Sequence, residues 1–155
     1  MGYLIGIDPG VSGAVVILQS RECPAPIEWM RTPTLKVGKS SRVDCAALTR
    51  FLLNYDDGEA FVEQVHAMPG QGATSMFTFG HAAGAVEGML AAMAIPVTLV
   101  TPQRWKKSAG LIGADKDAAR SRAIQLWPRW GALGKKGEGQ ALADAALIAR
   151  FGSTP

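Results

Sequence analysis

Cysteine is nearly absent from this sequence: Cys23 and Cys45 are the only two among 155 residues, and only two histidines accompany them. That scarcity excludes a disulfide framework and a structural zinc site built at Cys/His spacing. No apolar run approaches the roughly 20 residues that a membrane span needs. The N-terminal residues hold no basic leader ahead of an apolar segment, so the expectation is a cytoplasmic protein. No long polar tract breaks the chain, and with 48% hydrophobic and 19% charged residues the composition is that of an ordered globular chain. Its length suits a single domain over residues 1–155 with a core of its own.

The formal charge is a modest +3, but it is unevenly spread. Residues 104–136 carry Arg104, Lys106, Lys107, Lys116, Arg120, Arg122, Arg129, Lys135 and Lys136 against Asp115 and Asp117, a local +7, which leaves −4 for the rest. One part of the chain is thus suited to an anionic partner and another holds acids. Trp105, Trp127 and Trp130 fall in the same basic segment. Cations interleaved with aromatic rings suit phosphates and bases, although a solvated helix face and core tryptophans would give the same pattern, and Trp127 reads as core.

The most informative stretch is Leu4-Ile5-Gly6-Ile7-Asp8-Pro9-Gly10, followed by Val11-Ser12-Gly13-Ala14 and the apolar run Val15 to Leu18. Two β-branched runs around a Gly/Pro/Ser turn predict an antiparallel hairpin with Asp8 where the first strand stops. An acid at such an edge beside glycines suits a metal ion or a phosphate, whereas the plain alternative is a turn signal and nothing more. Residues 27–31 alternate as a third strand. Residues 32–41 read as a loop, with Ser41 capping a helix from about Arg42. Residues 60–65 form a fourth strand containing Glu63. A helix capped by Ser75 runs to about Ala94, with Gly80, Gly84 and Gly88 on one face. That face reads as close packing on the sheet, with a two-fold dimer contact as the alternative. Residues 97–100 form a fifth strand, and Thr101-Pro102 opens a short helix. Asp115 begins another helix, Gly131 to Gly139 is a loop, and Asp144 sits in a last, alanine-rich helix from Gln140 to Arg150. A carboxylate there is costly to bury without a partner or a cation.

Ile5-Gly6-Ile7-Asp8-Pro9-Gly10, Val62-Glu63-Gln64-Val65 and Ala143-Asp144-Ala145-Ala146, in this order, resemble the RuvC-type Holliday-junction resolvases of the ribonuclease-H-like superfamily, and the compact turn resembles phage and prophage versions. The resemblance covers essentially the whole chain, including Pro102 to Lys107. It implies an α/β ribonuclease-H-like fold: a mixed five-stranded sheet, three antiparallel strands then two more, flanked by helices. It implies a homodimeric endonuclease that cuts four-way DNA junctions with two Mg²⁺ or Mn²⁺ ions per active site, held by Asp8, Glu63 and Asp144 as catalytic ligands. The family places a further metal-binding residue one helical turn before the last aspartate, and Ala141 stands there; Glu138 and Gln140 are the substitutes within reach. Lys106, Lys107, Lys116 and Arg104 are the expected phosphate contacts. Phe77 is the expected aromatic at the junction, since a family aromatic follows the glutamate motif. A branched-DNA-binding protein without efficient cleavage is the main alternative. An ATP-binding fragment of the actin and sugar-kinase class shares only the opening strand and turn.

Overall fold

A computed structural model describes residues 2–19 and 21–154. Five strands form the main sheet: β1 (Leu4–Ile7), β2 (Ala14–Leu18), β3 (Pro26–Arg31), β6 (Glu59–Glu63) and β7 (Val97–Val100), in the spatial order β3-β2-β1-β6-β7. β1, β2 and β3 pair antiparallel, while β6 pairs parallel to β1 and β7 parallel to β6. This is the mixed sheet expected of the ribonuclease-H-like class.

β1 and β2 are buried along their whole length because helices cover both faces, which is why they read as unbroken apolar runs. The two-residue period divides them between two cores. Ile5, Ile7, Val15 and Ile17 face α1 (Cys45–Leu52) and α2 (Ala73–Ala92). Leu4, Ala14, Val16 and Leu18 face the other layer, made of α3 (Pro102–Ala109), α4 (Ala118–Leu126) and α5 (Lys136–Phe151). Among the described residues no helix is long and apolar enough to cross a membrane.

Several local expectations are corrected. Residues 32–41 are not a loop: β4 (Thr34–Val37) and β5 (Ser40–Val43) form a separate antiparallel hairpin. Gly38, at φ +60°, opens its two-residue turn, and Ser40-Ser41-Arg42 gives β5 no alternation. The first helix is capped by Asp44, whose side chain accepts from the Ala47 amide at 3.0 Å, rather than by Ser41. α2 starts after Gly72, ahead of Ser75. Asp115 does not start α4: its Oδ1 accepts the Asp117 amide at 3.0 Å, closing a local turn that delays the helix to Ala118. α5 begins at Lys136, so Glu138 and Gly139 are helical.

The glycine stripe is the larger correction. A Cβ placed at Gly80, Gly84 or Gly88 would meet nothing within 4 Å, so this face of α2 looks outward instead of packing on the sheet. The tryptophans of the basic segment follow the core alternative expected for Trp127: Trp105, Trp127 and Trp130 are all buried. Trp130 meets Trp127 edge to face with ring centres 5.9 Å apart, and Trp127 Nε1 donates to the Pro24 carbonyl at 2.8 Å. Those rings anchor α4 and the following turn, while Lys106, Lys107, Lys116, Arg129, Lys135 and Lys136 stay exposed.

Candidate active site

Parallel pairing brings the first two acids together. Ile7 is in register with Val62, so the next residues, Asp8 and Glu63, leave the same end of neighbouring strands. The carboxyl ends of parallel strands are where α/β sheets hold ligands. Asp144 reaches this edge from α5, and Gly6 fixes that approach. A Cβ on Gly6 would stand 1.9 Å from the Ala145 carbonyl oxygen and 2.7 Å from the Ala149 amide nitrogen. Only glycine lets the helix lie this close to β1.

The turn after Asp8 is equally constrained. A Cβ on Gly13 would come within 2.2 Å of the Asp8 carbonyl oxygen. The Gly10 amide donates to Asp8 Oδ1 at 3.3 Å, and Arg31 braces the turn by donating to the carbonyls of Gly13 and Ser12 at 3.1 and 2.9 Å. Trp105 Nε1 donates to Glu63 Oε1 at 2.9 Å. Gln140 Nε2 donates to Asp144 Oδ1 at 3.1 Å. Each acid is therefore aimed by a neighbour: Asp8 from its own turn, Asp144 from one turn earlier on α5, and Glu63 from α3.

All three carboxyls are held above the usual carboxylate range. Burial is the main cause for Asp8, opposed by the Gly10 amide and Arg31. Burial also dominates at Glu63, where the Trp105 hydrogen bond opposes it and the Asp8 charge adds to it. Asp144 is pushed up to about 7, first by burial and then by the charges of Asp8 and Glu63, with Lys106 and the Gln140 hydrogen bond opposing. The three side chains thus sense one another, and the cluster holds more negative charge than its neighbours neutralise. Among the described residues no three His, Cys, Asp or Glu side chains form a ready cage for one metal ion. The acids converge on an open edge, and each keeps lone pairs to offer.

A cavity of about 370 Å³ opens there, lined by Glu63, Asp144, Gln140, Trp105, Lys106 and Lys116 among others. Two expected phosphate contacts, Lys106 and Lys116, border it. Lys107 is exposed on the same helix, and the Arg104 guanidinium lies 5.0 Å over the Phe151 ring, at the end of α5. Glu138 is outside the site: it pairs with Lys135 at 3.6 Å and lines a different cavity with Trp29 and Arg31. Gln140 is inside it, and its Oε1 is buried without a hydrogen-bond partner. Ala141 is buried, and its methyl side chain has no atom to offer a cation. Phe77 is 68% exposed, whereas Phe79 stands against the turn, with Cε1 3.6 Å from where a Gly10 Cβ would be.

Sequence reasoning missed Trp105 and Arg31 as positioning residues and Asp115 as part of the cavity wall. The signal for Trp105 was the spacing of a lone ring from Thr101-Pro102, which puts it on the inner side of a short capped helix. Arg31 carried none, because its role depends on the β2 and β3 register.

The architecture and the acid-bearing strand ends define an α/β protein with a RuvC-type, ribonuclease-H-like fold. Two solved structures show the similarity. One is titled "T. thermophilus RuvC in complex with Holliday junction substrate", with TM-score 0.68, 19% identity, 97% of this chain and 92% of that chain covered. The other is "Thermus thermophilus RuvC structure", with TM-score 0.64, 20% identity and 97% of both chains covered. No protein-family model and no curated protein sequence matches the chain.

Proposed function

We propose that this protein is a structure-selective endonuclease that resolves four-way DNA junctions by divalent-metal-dependent phosphodiester hydrolysis. The observation that carries this reading is the meeting of Asp8, Glu63 and Asp144 at one sheet edge, all three with raised carboxyl pKa values, beside Lys106 and Lys116. The similar RuvC structure holding a Holliday junction supplies the substrate class.

The donor set fits Mg²⁺ or Mn²⁺. Carboxylate oxygens are hard ligands, and magnesium sites take one or two carboxylates together with substrate phosphates in place of an all-protein cage. That accounts for three crowded acids without a closed site in the protein alone. Asp8, Glu63 and Asp144 would be the carboxylates that hold such ions. The unpartnered Gln140 Oε1 is a neutral oxygen beside Asp144 at a site where Ala141 contributes none. Bound in a pair, such ions activate a water and stabilise the departing oxygen of an in-line displacement. The chain's own part is to orient: Trp105 fixes Glu63, Gln140 fixes Asp144, and the Gly10 amide fixes Asp8. Lys106 and Lys116 hold the phosphate backbone against these acids.

Resolution of a two-fold junction calls for two such sites, and a homodimer provides them. The outward Gly80-Gly84-Gly88 face of α2 lets a second backbone approach closely. The second reading, a branched-DNA-binding protein with little cleavage, is favoured by the buried Ala141 one turn before Asp144.

A labelled four-way junction, incubated with the protein and Mg²⁺ or Mn²⁺, separates the two. Paired nicks that vanish in Asp8→Asn while junction binding persists are expected of the nuclease. Binding without nicks under either metal would leave only the binding reading.

A further inference from the structure

The β4–β5 hairpin is an addition to the main sheet that the site does not use. Its ten residues, 34–43, carry Lys36, Lys39 and Arg42 and no acid, in a part of the chain that is otherwise net negative. All three cations are exposed, and none forms an ion pair among the described residues. Lys36 Nζ is tied across the ribbon to Ser41 Oγ at 2.9 Å, and Lys39 sits in the tight turn after Gly38.

The placement of the ribbon gives these charges a direction. Val43 is buried in the core shared with α1 and α2, so the base of the hairpin is fixed. Arg42, Ser40 and Ser41 line a cleft with Phe77, His81 and Val11, the last in the turn that follows Asp8. The hairpin therefore flanks the acidic edge on the α1/α2 face of the sheet, while Lys106 and Lys116 flank it on the α3/α5 face. DNA passing over the acids and continuing beyond Val11 would meet the ribbon next. A two-stranded ribbon also has the cross-section of a B-DNA major groove.

We propose that the β4–β5 hairpin, through Lys36, Lys39 and Arg42, is a second DNA-contacting surface that holds the phosphate backbone of a duplex arm on the side of the site opposite Lys106 and Lys116. This rests on the junction-nuclease reading of the acidic edge. Exposed lysines on short strands also serve to keep strand edges from aggregating, and that role would leave DNA affinity untouched.

The test is equilibrium binding to a labelled four-way junction across a salt series, for the wild type, Lys39→Gln, and the triple variant Lys36→Gln/Lys39→Gln/Arg42→Gln. Each phosphate contact contributes about 0.9 to the slope of log K against log salt. The triple variant should be shallower by about 2.7, so over a fourfold rise in salt the wild type loses roughly forty times more affinity than the variant. Lys39→Gln, at the turn, should show about one third of the slope change, and it removes no hydrogen bond that holds the ribbon. With arms trimmed back to the crossover, the wild type and both variants should share one slope. Equal slopes on the long-armed junction, with the wild type binding normally, would overturn the hairpin's role and leave the nuclease reading standing. A wild type that binds no junction at all would overturn both.

Discussion

Replacing Asp144 by asparagine removes a charge from a cluster that lacks the cations to balance it. In the folded chain the Asp144 carboxyl is raised from the ordinary 3.8 to about 7, chiefly by burial and then by Asp8 and Glu63. Between these values the folded protein holds a proton that the unfolded chain has released, so stability falls as pH climbs through the window and is lowest above it. Each pKa unit is worth about 1.36 kcal/mol, which sets a ceiling of about 4 kcal/mol on the cost of Asp144 near pH 8. Asparagine keeps an acceptor for Gln140 Nε2 and sheds the charge. Asp144→Asn without metal should therefore melt above the wild type near pH 8 and close to it near pH 4. At about 2–4 °C per kcal/mol for a domain of this size, that ceiling corresponds to a gain near pH 8 of at most about 8–16 °C. Thermal melts in chelator at both pH values measure it. A variant that is no more stable than the wild type near pH 8, or that gains equally at both, would refute the electrostatic reasoning.

Gly6→Ala would drive a methyl into the Ala145 carbonyl and the Ala149 amide, both backbone and unable to rotate away. A loss of at least about 1–3 kcal/mol in denaturant unfolding is expected, with junction cutting reduced even where the variant is fully folded, because Asp144 moves with α5. Full cutting by folded Gly6→Ala would contradict that. Trp105→Phe keeps the buried ring but removes the donor to Glu63 Oε1. That bond lowers the Glu63 carboxyl, so its loss raises it further, and the acid limb of the cutting profile should move to higher pH. An unmoved limb would show that Trp105 only packs. Lys106→Gln removes a charge that opposes the raised carboxyls of Glu63 and Asp144. Junction binding should lose about 0.9 of salt slope.

The sheet was legible because β-branched apolar runs and Gly/Pro punctuation are local signals. β1 and β2 are buried on both faces and so read as apolar runs, and Thr101-Pro102 announced α3 through cap chemistry, with the Thr101 side chain accepting from Arg104 at 3.4 Å. The β4–β5 hairpin was illegible because its strands are short and mostly exposed: Leu35 and Val37 alternate with Thr34 and Lys36 on β4, but Ser40-Ser41-Arg42 gives β5 no such pattern. Gly80, Gly84 and Gly88 show the limit of periodicity: spacing places residues on one face and cannot say whether that face looks in or out. At the site, the three acids could be named from their strand and helix positions. The Gly10 and Gln140 bonds that aim Asp8 and Asp144 are local, but what aims Glu63 and what seats α5 are contacts far apart in sequence. Trp105 meets Glu63 across 42 residues, and the role of Gly6 is visible only when α5 is laid on β1.

The central claim is that residues 8, 63 and 144 share divalent cations in the presence of DNA. The most direct measurement is Mn²⁺ uptake by the junction-bound protein near pH 8, read from the electron paramagnetic resonance signal of the free ion, for the wild type and Asp8→Asn. The wild type should take up two more ions per chain than the DNA alone, and Asp8→Asn one or none. Equal uptake by the two proteins would contradict the account.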